Sequence, residues 1–274
     1  MSDPSATPAH DHNRRAWDAR ARRGDRFTLP APDSDFVEPL RRVDSLGWLG
    51  DSISGRSLLC LGAGGGKHSV LYAAAGAIVT VVDISPVMLE LDREVAAARG
   101  LAVRTVETSM DDLSPLANEE FEVVIHPVST CYVPEIRPVF REVARVMRPQ
   151  GIYISQHKTP TSLQTGVLPS PQGYEILEPY YREGPLPQVA GSPHREEGTL
   201  EYLHRWEDLL GGMCRAGFVI EDLVEPLHAR LDAPLGDFGH RSQYVAPYVR
   251  IKARRIGERS NRGNARPRIW TPQG

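Results

Sequence analysis

Between residues 56 and 157 the apolar and polar positions change period in a regular alternation. Residues 57–62 (SLLCLG) form a strand-length apolar run ending in glycines, and 67–76 (KHSVLYAAAG) is helical up to Gly76. Residues 77–83 (AIVTVVD) make an unbroken, largely β-branched run of the kind that parallel sheets bury on both faces. Ser85 and Pro86 then supply the N-cap and first position of a helix through Ala98, with Gly100 beyond its end. Strands are expected at 101–108 and 121–128. Over 134–148, Val139, Val143, Val146 and Met147 share one helical face, and Pro149-Gln150-Gly151 turns the chain into a fifth strand at 151–157.

From 158 to 199 the periodicity stops. This stretch is rich in Pro and Gly and carries Tyr174, Tyr180 and Tyr181, which suits a lid or small cap. A helix at 200–218 and strands at 219–226 and 243–254 resume the pattern. The whole predicts an α/β fold: a doubly wound, mostly parallel seven-stranded sheet with helices on both faces and an insertion after the fifth strand. Residues 14–252 would form this domain, with 158–199 as its lid or cap. Residues 1–13 are expected to be a disordered tail, and 253–274 a second one, basic with six Arg against one Glu. Within 14–26, a short Arg-rich helix would lay Trp17 on the body.

Composition narrows the classes of function. At 274 residues the chain buries a large core without staples. Lys plus Arg is 32 against 35 for Asp plus Glu, which argues against a dedicated nucleic-acid binder. Cys60, Cys131 and Cys214 are widely spaced and odd in number, so neither a disulfide framework nor a zinc motif is expected, and no metal is assigned. No apolar run is long enough to span a bilayer and the polar start is not a secretory signal, so a cytoplasmic location is expected.

The informative element is LLCLGAGGGKHSV. A strand ending in Gly62-Ala63-Gly64-Gly65-Gly66 and feeding a helix offers bare backbone amides where a Cβ would block a ligand. Asp83 stands twenty-one residues past Gly62, at the tip of the second strand, where an acid accepts hydrogen bonds from ribose hydroxyls. Gly66-Lys67 does not make a phosphate-binding P-loop, because Leu61 and His68 occupy places that need Gly and Ser/Thr. The dinucleotide pattern G-x-G-x-x-G fails at Lys67.

These residues resemble the class I S-adenosylmethionine-dependent methyltransferases. LLCLGAGGGKHSVLYAAAGAIVTVVDISPVML is similar to the family's first two motifs in order. FEVVI, FREVARVMRPQGIYIS and HRWEDLLGGMCRAGFVIEDLVEP resemble the segments that follow. The resemblance covers residues 56–157 and 200–252 and implies a Rossmann-like sheet binding S-adenosyl-L-methionine. It implies that Gly62, Ala63 and Gly64 lie against the cofactor's amino-acid part and that Asp83 holds the ribose hydroxyls. Ile84 and Met88 would cover the adenine, and Ser109 and Met110 would meet its edge. Asp111 would substitute for the Asp that many members carry at the position of Ser109.

Methyl transfer is an in-line displacement that needs alignment, exclusion of water, and a base only where the acceptor carries a proton. Residues 126–132 would line the reaction space, making His126 a base candidate and a cofactor neighbour, and Tyr132 a wall residue. His157, at the end of the fifth strand, is the second base candidate. Each of these side chains also suits a purely packing role. Arg14, Arg20 and Arg22 are candidates to close over the cofactor carboxylate.

A small-molecule acceptor is the leading expectation. Methylation of nucleic acid or protein ranks lower, since His126-Pro127-Val128-Ser129 lacks the Asp/Asn-Pro-Pro-Tyr/Phe of base-modifying members. A nicotinamide-dependent oxidoreductase and a non-catalytic cofactor sensor are the other readings. The oligomeric state is not legible.

Overall fold

The computed structural model describes residues 8–256. Its strands are β1 (Ser57–Leu61), β2 (Ile78–Asp83), β3 (Val103–Glu107), β4 (Phe121–His126), β5 (Met147–Lys158), β6 (Phe218–Val224) and β7 (Tyr248–Arg255). They form one sheet in the order β3-β2-β1-β4-β5-β7-β6. Strands β1 to β5 pair in parallel, whereas β7 runs antiparallel to both β5 and β6, so the sheet is mixed at one side. An antiparallel neighbour needs no crossover helix, and between β6 and β7 the chain forms only a single short helical turn (Phe238–Arg241).

The helices are α1 (Pro8–Arg23), α2 (Pro39–Val43), α3 (His68–Ala74), α4 (Pro86–Ala98), α5 (Arg137–Val146), α6 (Pro160–Gln164), α7 (Gly212–Arg215) and α8 (Phe238–Arg241). Successive β1 residues face opposite layers, as strand geometry demands. Leu59 and Leu61 join Val139, Phe140 and Val143 of α5 on one face. Leu58 and Cys60 join Tyr72 of α3 and Leu89 of α4 on the other. That double burial explains why β1 and β2 carry long apolar runs rather than strict alternation.

Three expectations are corrected. The segment 8–13, read as tail, is the start of α1, which buries His10, Asn13 and Asp18. It is held by polar contacts: Asn13 donates to the carbonyls of Tyr132 (2.8 Å) and Leu200 (3.0 Å), and the Ser85 hydroxyl donates to Asp18 at 2.6 Å. The helix expected over 200–218 begins only beyond Arg205, as a π-helical turn (Glu207–Gly211) leading into α7. Residues 200–205 instead have no regular secondary structure, and Tyr202 donates its amide to the Cys131 carbonyl at 2.7 Å. The last strand starts at Tyr248 rather than at 243, because Asp237 caps α8 through the Gly239 amide and 242–247 is a turn. The remainder of both expected tails, 1–7 and 257–274, lies outside the described residues. Among the described residues no helix is long and apolar enough to cross a membrane.

Candidate active site

The carboxyl ends of β1 and β2 build the first wall of a cavity of about 800 Å³, within the roughly 300–1,000 Å³ typical of small-molecule sites. Gly62 leaves β1 at φ +57°, and a Cβ there would meet the Ser129 hydroxyl at 2.6 Å. A Cβ on Gly64 would meet Met88 Cβ at 2.8 Å and Asp83 Oδ2 at 3.0 Å. The glycines are therefore required by close approach within the protein itself. Their amides are not bare: Gly62 donates to the Val82 carbonyl (2.8 Å), Gly64 to Asp83 Oδ2 (2.9 Å) and Gly65 to Asp92 Oδ2 (2.9 Å). What the loop offers a ligand is a surface without side chains.

Asp83 lines the cavity from the end of β2. Oδ1 accepts from the Ser85 amide and Oδ2 from Gly64, both at 2.9 Å. A carboxylate has about four lone-pair sites, so with three backbone donors at least one remains for a ligand hydroxyl. Burial raises its pKa, and the backbone donors at Ser85, Gly64 and Ile84 work in the opposite direction. Gly62, Ala63, Gly64, Ile84, Met88, Ser109 and Met110 line the same wall. These residues fit a nucleoside: a carboxylate for a vicinal diol, apolar side chains for a flat base, and a glycine floor.

A model of the methyltransferase domain matches residues 59–155. The chain is similar to YbaJ, an uncharacterized methyltransferase of Bacillus subtilis (strain 168), with 35% identity over 233 residues, 78% of this chain and 89% of that protein. The chain belongs to the class I S-adenosylmethionine-dependent methyltransferases. Among solved structures, an S-adenosylmethionine-dependent methyltransferase from Mesorhizobium loti superposes with a TM-score of 0.61 at 21% identity, covering 77% of this chain and 96% of that one. A geranyl diphosphate C-methyltransferase from Streptomyces coelicolor A3(2), in complex with S-adenosyl-L-homocysteine, gives 0.62 at 18%, covering 92% and 99%. At such identity the two structures speak for the fold.

The rest of the methyltransferase's cavity departs from expectation. His126 and His157 do not line it. Both point into the sheet's buried layer, where His126 Nδ1 shares a hydrogen bond with the Tyr153 hydroxyl (2.8 Å), and His157 is held by Thr130 and Ser155 (2.8 Å each). Burial lowers the pKa of His126 to about 3 and that of His157 well below the usual range, so both are neutral. Asp111 is likewise absent from the lining; it pairs with His10 at 3.1 Å and accepts from the Ser109 hydroxyl. Tyr132 is a wall residue. Its ring meets Trp17 edge-on at 5.4 Å, and its hydroxyl donates to Glu196 at 2.8 Å.

Several lining residues carried no usable sequence signal. Asn13 and Trp17 come from α1, and Arg26 and Phe27 from the turn after it. Gln156 comes from β5, and His228, Phe238 and Tyr248 from beyond β6. Arg14 and Arg20 are engaged elsewhere, with Asp11 and with Asp25. Tyr174 bonds His240 at 2.8 Å, and neither it nor Tyr180 nor Tyr181 reaches the cavity. Only Pro193 and Glu196 represent 158–199 there. Glu196 is fixed by Lys158 at 2.5 Å, and despite burial that cation keeps its carboxyl below the usual range.

Proposed function

We propose that this enzyme methylates a small-molecule acceptor. The observation that carries the reading is the reach of the cavity. It starts at the glycine loop and Asp83 over β1 and β2, crosses the β1/β4 switch point, and continues over Gln156 of β5 and Tyr248 of β7. One half has the size and donor set for a nucleoside, and the other is a covered chamber beside it. Segments from three parts of the chain, represented by Trp17, Glu196 and Phe238, roof it over.

When bound, S-adenosylmethionine supplies a methyl group already activated on a sulfonium. Asp83 would hold the ribose hydroxyls, Ile84 and Met88 would cover the adenine, and Ser109 and Met110 would border its edge. Gly62, Ala63 and Gly64 would accommodate the amino-acid end. Trp17 and Tyr132 exclude water from the junction between the two halves, where alignment matters most. Residues 158–199 would act as part of the cap through Pro193 and Glu196.

The test is calorimetric titration with S-adenosylmethionine, followed by a screen of metabolite extracts for transfer of a labelled methyl group. Binding that Asp83→Ala removes, with label appearing in low-mass products, supports the reading. Label confined to protein or nucleic acid would overturn it.

A further inference from the structure

Behind the part of the cavity that lies over β5 and β7, a cation lacks a protein counter-charge. Arg250 of β7 stands directly opposite Gln156 of β5 in antiparallel register. It is half-buried, and its Nε and Nη2 both donate to Gln156 Oε1, at 3.2 and 3.1 Å. No carboxylate among the described residues pairs with it, although twenty-three other ion pairs are found there. A guanidinium has five N–H donors, and only two are used. Removing a cation from water without a partner is costly, so partly buried arginines are ordinarily paired.

Arg250 does not itself line the cavity but stands directly behind Gln156, which does. Strand alternation puts Tyr248 and Arg250 on one face of β7, while Val249 and Ile251 enter the core with α5 on the other. Tyr248 and Gln156 line the cavity, as do His68 and His228. Because Arg250 occupies the Gln156 carbonyl oxygen, the amide NH₂ of Gln156 is the end left to donate. His228 packs edge-on against Phe238 (5.5 Å) and Tyr248 (5.4 Å), and its Nε2 is buried with no hydrogen-bond partner. Lys67 also lines the cavity and has no ion pair among the described residues. Two acids lining the cavity are spent elsewhere: Glu196 on Lys158, and Asp237 on Arg230 at 2.8 Å. Both imidazoles feel Arg250: burial lowers the pKa of His228 first and Arg250 second, while for His68 burial, then Lys67 and then Arg250 lower it to about 4.

The geometry points to a carboxylate-binding subsite formed by Gln156, His68 and His228 and backed by Arg250, so that the methyl acceptor is an organic acid docked by its anionic group. This rests on the methyltransferase reading above. The carboxylate would take the Gln156 amide, with the guanidinium held behind that amide as the counter-charge that fixes direction as well as affinity. The aromatic side chains Phe238 and Tyr248 would hold a flat apolar body.

The test uses the full chain saturated with S-adenosylhomocysteine and titrated with 2-naphthoate and its neutral counterpart 2-naphthamide. Wild-type protein should bind the carboxylate about tenfold tighter or more, the scale of one charge-assisted contact. Arg250→Gln should reduce that preference to within about twofold while leaving naphthamide affinity intact, and Arg250→Lys should restore part of it. Equal binding of the two probes, or binding of neither, overturns the subsite. A large loss of S-adenosylhomocysteine affinity in Arg250→Gln also overturns it, because the anion held would then be the cofactor's own carboxylate. Failure of wild-type protein to bind S-adenosylhomocysteine at all would instead be a failure of the methyltransferase reading.

Discussion

The Gly65 amide donates to Asp92 Oδ2 at 2.9 Å, placing a fully buried carboxyl group of α4 directly beneath the loop that floors the cofactor crevice. Asp92 also accepts from the Ser69 hydroxyl of α3. Loop, α3 and α4 thus meet at one side chain.

Burial raises the pKa of Asp92 to about 7, with the Ser69 and Gly65 donors opposing that rise. A folded-state value above the unfolded one means the folded protein retains the proton longer. The stability this supplies is complete below the unfolded pKa near 4 and is lost as pH rises to 7, by about 1.4 kcal/mol per unit. Asp92→Asn should therefore gain on wild type in urea denaturation as pH rises through that window, and run parallel above it. A constant offset from pH 4 to 8 would count against the assignment.

His126 works in the opposite sense. Its folded pKa of about 3 lies below the unfolded value, so stability is lost as pH falls from 6.5 towards 3. Being neutral across the working range, it cannot shape activity there. His126→Gln should lower the melting temperature while leaving the pH profile of methyl transfer unshifted between pH 6 and 9.

Asp83→Ala should reduce S-adenosylmethionine affinity by about tenfold or more, since at least one charge-assisted hydrogen bond at roughly 1.5 kcal/mol is lost. Asp83→Asn keeps an acceptor for one loop amide and should retain the fold with intermediate affinity. Calorimetry on both variants separates ligand contact from loop anchoring. An affinity unchanged in either variant would remove Asp83 from the site.

The parallel strands and the glycine loop were legible in the sequence because burial on both faces forces continuous apolar runs, as in Leu58–Leu61 and Val79–Val82. The acceptor half was not. Helix α1 is anchored by Asn13 and Asp18, polar side chains that read as solvated when periodicity is the only signal. Gln156 and Arg250 meet through strand register across 94 residues, a pairing no local pattern encodes. His126 and His157 carried the right chemistry at the right sheet edge, but alternation turned them into the α5 layer, whereas Gln156 between them in register terms faces the cavity.

Gly62→Ala tests the crevice in a second way. The new Cβ would sit 2.6 Å from the Ser129 hydroxyl at φ +57°, a left-handed conformation that costs about 1–2 kcal/mol in any non-glycine residue. Adding Ser129→Gly should relieve the collision but not the backbone term. The double variant should accordingly recover part, never all, of the loss in thermal stability. Full recovery would mean that the left-handed geometry is not needed.

Lys158, at the end of β5, ties the segment carrying Glu196 to the sheet. Its buried ammonium pairs with Glu196 at 2.5 Å and with Glu201, while Glu201 also pairs with Arg195. Burial alone would lower its pKa, but the two carboxylates more than reverse that. Lys158→Met would leave Glu196 without its cation, and breaking a buried pair by removing one partner costs about 3–5 kcal/mol. Because Glu196 also receives the Tyr132 hydroxyl, the disturbance reaches the wall at the junction of the two cavity halves. Lys158→Met should therefore shift the urea midpoint strongly downward and weaken acceptor binding more than S-adenosylmethionine binding. Adding Glu196→Gln, which removes the stranded charge yet keeps an acceptor for Tyr132, should recover much of the midpoint. A double variant no more stable than the single one would show that Lys158 acts through packing rather than through charge.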